Sequence, residues 1–82
     1  MRILFLGRLA EAAGGRERDV VPPPQVVDVE TLREWLGQDD GALLLALADP
    51  TVQVVVNDEL RPGKAALGAE DEVAFLPVIC GG

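Results

Sequence analysis

The sequence predicts an α+β domain in which a mixed β-sheet is covered on one face by one main helix, with a short second helix beside it. Two segments with strand character precede the principal amphipathic segment, and three more follow it. A helix that crosses from a first hairpin to further strands is the order of a β-grasp fold. The chain has 82 residues, so we expect one domain over residues 1–82.

The first strands are marked by an apolar run and by breaker residues. Residues 3–6 are continuously apolar and predict a strand buried on both faces. Good helix formers at Leu9–Ala13, followed by Gly14-Gly15, predict a short helical turn. Residues 16–21 predict a second strand that pairs with the first. Three prolines end it, because proline has no backbone N–H to donate to a neighbouring strand.

The main helix has a start signal, an apolar stripe and a stop signal. Asp28 is the expected N-cap, because its carboxylate can accept from free N–H groups of the first turn. Val29, Leu32 and Leu36 then recur at helical spacing. Gly37 predicts the end of this helix by the usual glycine stop.

The second half of the chain predicts a short helix and a return to strands. Asp39 or Asp40 can cap a helix over residues 42–48. Residues 52–56 are mostly β-branched and predict a strand, Leu60 begins a short returning strand, and residues 72–79 predict the last one. Turn-forming residues separate these strands at 57–58, 61–63 and 68–71.

Composition excludes several classes of function. The net charge is −7, which disfavours nucleic acid and anionic membranes and favours a partner with a basic patch. The chain has no His and no Tyr, so it lacks the commonest general base and metal ligand. Its one cysteine, Cys80, permits neither an intrachain disulfide nor a thiolate zinc site. We expect a cytoplasmic protein that binds no metal or cofactor itself and does not catalyse alone.

The ending is the most specific feature. We expect residues 77–82 to form an extended, flexible tail that spans about 20 Å at ~3.3–3.6 Å per residue. Gly81 and Gly82 lack Cβ atoms, so the backbone there can pass through a narrow channel and carry a terminal carboxylate into another protein. The competing interpretation is an ordinary frayed terminus.

Three segments resemble the small subunits of molybdopterin synthase. Residues 71–82 are similar to the family's ending, which runs Asp-Glu-Val-Ala-Phe-Phe-Pro-Pro and closes on Gly-Gly. Residues 4–14 look like its Leu-Phe-Phe-Ala-Arg-Leu opening, and residues 54–59 like its central Val-Asn-x-Glu turn. The three motifs follow in the family's order and span the chain.

This resemblance implies a ubiquitin-like sulfur carrier. In that family an activating enzyme uses ATP to adenylate the terminal glycine, and a sulfur donor system converts the adenylate to a thiocarboxylate. The tail then enters the large subunit of molybdopterin synthase and passes sulfur to cyclic pyranopterin monophosphate. Two small subunits on a dimer of large subunits, a heterotetramer, would be the assembly.

The resemblance also assigns roles to residues. Gly82 would carry the acyl-adenylate and the thiocarboxylate, and Gly81 and Cys80 would form the slim approach. We expect the thiol of Cys80 to be incidental, since any small side chain serves at that position. The residues expected at the partner interface are Leu6, Leu60, Phe75, Leu76, Pro77, Val78 and Ile79.

Other functions share this tail chemistry. A sulfur carrier for thiamine or another pathway would differ in its acceptor, and a ubiquitin-like protein modifier would be joined to lysines. A plain interaction domain would have an inert tail. The apolar residues on both faces of the first strand leave a further question open, because either a partner or the chain's own second helix and loops could cover the second face.

Overall fold

The structure, a computed structural model, describes residues 1–61 and 65–77. Within those residues the chain forms five strands and three helices. In chain order they are β1 (Arg2–Phe5), α1 (Leu9–Ala13), β2 (Glu17–Asp19), α2 (Val29–Gly37), α3 (Gly41–Ala48), β3 (Val52–Val56), β4 (Glu59–Leu60) and β5 (Glu72–Pro77).

The strands form one mixed sheet in the order β2-β1-β5-β3-β4. The pair β1–β5 is parallel, whereas β1–β2, β3–β5 and β3–β4 are antiparallel. A parallel pair cannot be joined by a tight turn, and the chain between β1 and β5 supplies the helical crossover. This arrangement confirms the predicted β-grasp fold.

All three helices lie on the same face of the sheet. Leu9 of α1, Leu32 of α2 and Leu43 and Leu47 of α3 are fully buried against the strands. The strand residues that complete this core are Ile3, Phe5, Val52, Val54, Val56, Val73 and Phe75. Burying one face of a sheet under helices removes most of the apolar side chains from water.

Side-chain caps start the two longer helices. The Thr31 N–H donates to Asp28 Oδ1 over 2.8 Å, and the Asp28 N–H donates to Thr31 Oγ1 over 3.0 Å. This reciprocal pair is a capping box. The Leu43 N–H donates to Asp40 Oδ1 over 3.1 Å, so Asp40 rather than Asp39 caps α3.

Gly37 is the last residue of α2, as predicted, but it is not a left-handed stop. Its φ is not positive, and the next residue, Gln38, also keeps right-handed helical angles. A Cβ at Gly37 would lie 2.6 Å from Leu44 Cβ, which shows that α2 and α3 approach too closely for any side chain. The helical turn at Leu9–Ala13, by contrast, ends on Gly14 at φ +78°, as its sequence predicts.

The turn between β3 and β4 has positive φ at both central residues, 49° at Asn57 and 69° at Asp58. These angles match the right-handed twist of a hairpin, and Asn and Asp tolerate them better than most residues. Asn57 Oδ1 accepts from the Glu72 N–H over 3.0 Å, and Asn57 Nδ2 donates to Asp71 Oδ1 over 2.9 Å. The turn is thereby tied to the start of β5.

Strand β1 is buried on one face only, which corrects the expectation of burial on both. Ile3 and Phe5 are fully buried under the helices, whereas Leu4 is half-buried and Leu6 is 40% exposed. The three helices share one side, so within residues 1–61 and 65–77 no helix covers the other. The last strand reaches Pro77, and the predicted continuation over residues 78–79 lies outside the described residues.

Candidate functional site: an apolar sheet face beside the end of β5

A row of apolar side chains crosses four strands on the face away from the helices. The cross-strand partners are Leu4 with Ala74, Ala74 with Val55, and Val55 with Leu60. Side chains of directly paired residues lie on the same side of a sheet. Leu60 is 67% exposed at the end of this row, and the other three are half-buried.

A second apolar pair lies next to this row. The Leu6 N–H donates to the Phe75 carbonyl over 3.0 Å, which extends the parallel β1–β5 register by one residue and places Leu6 beside Leu76. Leu76 in turn pairs with Gln53, an exposed polar residue. We call Leu4, Leu6, Val55, Leu60, Ala74 and Leu76 together the open sheet face.

Charged residues border the open sheet face at the start of β1. The Arg2 guanidinium forms ion pairs with Glu17 of β2 and, at 3.5 Å, with Glu72 of β5. The side chains of Arg2, Glu17 and Glu72 are between 42% and 53% exposed, so these pairs are solvated. Exposed pairs contribute little to stability, and here they mark where the apolar surface ends.

Strand β5 ends at the opposite end of the open sheet face from Arg2. Pro77 closes β5 beside Gly7, and a Cβ at Gly7 would lie 3.1 Å from Pro77 Cγ. Gly7 has φ +55°, a conformation that favours glycine. Leu6 and Leu76 immediately precede these two residues in sequence. Strand β5 therefore ends beside Leu6 and Leu76 of the open sheet face.

Four of the predicted interface residues lie at this surface. Leu6, Leu60 and Leu76 belong to the open sheet face, and Pro77 lies at its end. Five other predicted site residues lie outside the described residues: Val78, Ile79, Cys80, Gly81 and Gly82.

Phe75, which is also predicted at the partner interface, does not lie on this surface. Its side chain is fully buried and stacks on Phe5, with ring centroids 6.0 Å apart. Successive side chains of a strand point to opposite faces, so Leu76 and Phe75 cannot both face a partner. In this chain Leu76 occupies the open position.

Val55 was not among the predicted interface residues, although it lies in the middle of the row. Its strand is apolar at every position except Gln53, so periodicity alone does not separate its two faces. The polar Gln53 is the available signal, because a period of two then places Val55 on the same face.

The acidic groups near the site serve the fold. The Gly68 N–H and the Asn57 amide both donate to Asp71, and these bonds lower the pKa of its carboxyl. Within residues 1–61 and 65–77 there is no group of three or more Cys, Asp or Glu arranged to hold a metal ion. In that same part of the chain no helix is long and apolar enough to cross a membrane.

These features define a small β-grasp domain that presents an apolar sheet face beside the start of its C-terminal segment. A protein-family model described as the ThiS family matches residues 3–82, so the chain belongs to that family. The family resemblance of the three sequence motifs is confirmed by this match and by the relatives below.

Full-length relatives agree with the match. The chain is 33% identical to the molybdopterin synthase sulfur carrier subunit of Mycobacterium tuberculosis, over 100% of this chain and 96% of that protein. It is 31% identical to the protein of the same name from Haemophilus influenzae, over 100% of this chain and 99% of the relative. The crystal structure of SAMP1 from Haloferax volcanii superposes with a TM-score of 0.82 at 27% identity, covering 100% and 98% of the two chains.

Proposed function

We propose that this protein is the sulfur-carrier small subunit of a molybdopterin synthase. The observation that carries the proposal is its end-to-end similarity to the carrier subunit of M. tuberculosis, at 33% identity. The domain architecture agrees with a carrier, because an apolar face for docking lies beside the segment that would bear the reactive group. The alternative acceptors of sulfur, in thiamine synthesis or another pathway, differ only in the partner that receives it.

The proposed chemistry takes place on the carboxylate of Gly82. A carboxylate is a poor acyl donor, so an activating enzyme joins it to the α-phosphorus of ATP and pyrophosphate leaves. Sulfide released by the donor system, as HS⁻, then attacks the acyl carbon and displaces AMP, and loss of the proton leaves a thiocarboxylate. In the synthase the sulfur passes to cyclic pyranopterin monophosphate, and water restores the carboxylate.

In this proposal the domain positions the tail and the partners supply the catalytic groups. The open sheet face would dock on the large subunit through Leu6, Leu60 and Leu76, since burying apolar area is the main driving force of such contacts. The net charge of −7 would speed association with a basic partner surface. The thiol of Cys80 has no part in these steps.

Reconstitution tests the proposal directly. The purified chain is incubated with ATP, an activating enzyme and a sulfur donor, and intact-mass spectrometry measures the replacement of one oxygen by sulfur. The product is then mixed with a molybdopterin synthase large subunit and cyclic pyranopterin monophosphate. We expect molybdopterin to form with the native chain and with Cys80→Ser, but not when Gly82 is deleted. A thiocarboxylated chain that yields no molybdopterin would contradict the assignment to this pathway.

A second candidate function is protein modification. It is favoured by the similarity to SAMP1 of H. volcanii, the small archaeal modifier protein 1. This similarity covers the whole chain at 27% identity. A modifier would join its terminal carboxyl to lysine amines of other proteins. Mass spectrometry of trypsin-digested cell extracts distinguishes the two functions, because a modifier leaves its terminal residues on substrate lysines.

A further inference from the structure

A groove lies between strand β2 and the C-terminal end of α2, on the helix side of the sheet. It has a volume of about 290 Å³. Val20, Trp35 and Leu36 give it an apolar floor, and Asp39 and Asp40 line it at the junction of α2 and α3. Trp35 also borders a second depression of about 380 Å³ with Gln25, Thr31, Glu34 and Gln38, so a trough continues along α2.

The strand that borders this groove is the first in the sheet order, and its outer edge can accept another strand. The N–H and C=O of Val20 both bond to Met1, and the Arg16 carbonyl accepts from the Phe5 N–H. Backbone groups alternate in direction along an antiparallel pair, so those of Glu17 and Asp19 point away from β1. An added strand could form up to four backbone hydrogen bonds with these two residues.

Acidic side chains surround this edge and groove. Glu17 and Asp19 lie along the strand, and Asp39 and Asp40 lie in the groove. Arg16 and Arg18 alternate with these carboxylates along the edge, so they lie on the helix side, where Arg18 lines the groove and donates to the Ala13 carbonyl over 2.7 Å. Glu17 and Asp19 share the other side of the strand, next to Arg2, which pairs with Glu17. That side of the edge therefore complements basic side chains of an added strand.

We propose that the β2 edge and its groove bind an extended segment of a partner protein in which apolar and basic residues alternate. The segment would add to the sheet beside β2. Its residues on the helix side would place apolar side chains against Val20 and Trp35. Those on the other side would pair with Glu17 and Asp19 across the strands, where opposite charges stabilise a sheet.

Two geometric facts separate this surface from the open sheet face. The groove is on the helix side, and β2 lies at the opposite edge of the sheet from β4, which carries the exposed Leu60. Both surfaces can thus be occupied together, and the inference does not depend on the proposed sulfur transfer. Pairing of two copies through β2 is disfavoured, because it would place the carboxylates of Glu17 and Asp19 from both copies together.

Trp35 makes the proposal measurable, since it is the only tryptophan of the chain. The probe is a synthetic peptide, acetyl-Lys-Val-Lys-Ile-Lys-amide, titrated into the purified full-length protein at low salt. We expect a saturable blue shift of the tryptophan emission as the indole loses contact with water. A peptide with Glu at the three Lys positions should give no shift, and N-methylation of its backbone amides should abolish binding by the Lys peptide.

Matched charge reversals locate the site. Asp19→Lys should weaken peptide binding by about five-fold, because Asp19 faces the basic side of the added strand and an exposed ion pair contributes up to about 1 kcal/mol. Asp58→Lys, an equal charge change at the β3–β4 turn, should leave it unchanged. Circular dichroism and the unfolding midpoint establish that both variants are folded.

Three results would overturn the proposal. The first is the absence of a saturable shift with the Lys peptide, and the second is equal binding of the N-methylated peptide, which would exclude strand addition. The third is equal weakening by Asp19→Lys and Asp58→Lys, which would mean that net charge alone attracts the peptide. Concentration-dependent dimerisation of the protein without peptide, lost in Asp19→Pro because proline removes an outward-facing N–H of the edge, would assign the edge to a second copy instead.

Discussion

The rings of Phe5 and Phe75 stack across the parallel pair β1–β5, with centroids 6.0 Å apart and planes inclined by 15°. The Arg18 guanidinium carbon lies 5.4 Å from the Phe5 centroid, and that of Arg33 lies 5.9 Å from the Phe75 centroid. Two cations therefore flank two stacked rings in the middle of the domain. Phe75 belongs to this stack, and its neighbour Leu76 belongs to the surface.

The stack predicts that two adjacent substitutions destabilise the domain to different extents. Phe75→Ala should lower the free energy of unfolding by about 3–5 kcal/mol, the range for removal of a buried aromatic ring. Leu76→Ala should cost clearly less, because its side chain is only half-buried. Urea unfolding followed by circular dichroism measures both, and similar losses for the two variants would contradict the assignment of faces.

The sequence predicted the local features of this fold well. Asp28 as a cap, Gly14 as a helix end and Asn57-Asp58 as a turn depend on neighbouring residues only, and each lies in the structure where the pattern indicates. The face of Phe75 and the role of Gly37 were not predictable in the same way. The first depends on a register between β1 and β5, which are 70 residues apart at Arg2 and Glu72, and the second on contact between two helices.

The candidate site shows the same difference between features set by neighbouring residues and features set by distant contacts. Leu6, Leu60 and Leu76 were found from the family motif and from their apolar character. Val55 joins them only because β3 pairs with both β5 and β4. An apolar strand does not reveal which neighbours will align its side chains into a continuous surface.

Two exposed leucines on opposite sides of the domain offer a matched test of the open sheet face. Leu60 is 67% exposed on β4, and Leu45 is 76% exposed on α3. We expect Leu60→Glu to weaken binding to a molybdopterin synthase large subunit by about ten-fold or more, the loss typical of an interface hot spot. Leu45→Glu makes the same chemical change away from this face and should bind as the native chain does.

Calorimetric titration of the large subunit with each variant measures this difference. Equal weakening by Leu60→Glu and Leu45→Glu would point to a general effect of charge, and it would remove the open sheet face as the docking surface. Thermal unfolding of both variants verifies that neither loses its fold.

The close approach of α2 and α3 predicts that Gly37 cannot be replaced without cost. A Cβ there would lie 2.6 Å from Leu44 Cβ and 2.8 Å from Leu44 Cα, so backbone as well as side chain must move. Gly37→Ala should therefore destabilise the domain by about 1–3 kcal/mol, the usual cost of overpacking. Gly41→Ala is the control, because a Cβ at that first residue of α3 would meet no described atom within 4 Å other than its chain neighbours and its own helix backbone.

The control variant should behave in the opposite way. Alanine restricts the unfolded chain more than glycine does, so Gly41→Ala should stabilise by about 0.4–1 kcal/mol. Equilibrium unfolding in urea compares the two variants. A stabilising effect at Gly37 would show that the helices separate freely, contrary to the packing seen here.

Asp71 predicts a specific loss of stability in acid. Hydrogen bonds from the Gly68 N–H and the Asn57 amide lower the pKa of its carboxyl in the folded domain, whereas in the unfolded chain it titrates near the ordinary value of about 3.9. The folded state therefore favours the ionised form of the Asp71 carboxyl. This stabilisation is complete above the unfolded pKa and disappears as the pH falls through the lower folded pKa.

Asp71→Asn should thus reduce the stability at pH 6 and flatten its decline below about pH 4, because one carboxylate no longer links protonation to unfolding. Asn57→Gly keeps a residue suited to φ 49° but removes one of the two donors to Asp71 and also the acceptor of the Glu72 N–H. The acid slope should therefore change by less than in Asp71→Asn, while the lost bond from Glu72 adds a decrease in stability that does not depend on pH. Urea unfolding at half-unit steps from pH 6 to pH 2 measures both effects. An unchanged acid slope in Asp71→Asn would mean that the hydrogen bonds to Asp71 hold the neutral acid as well as the carboxylate.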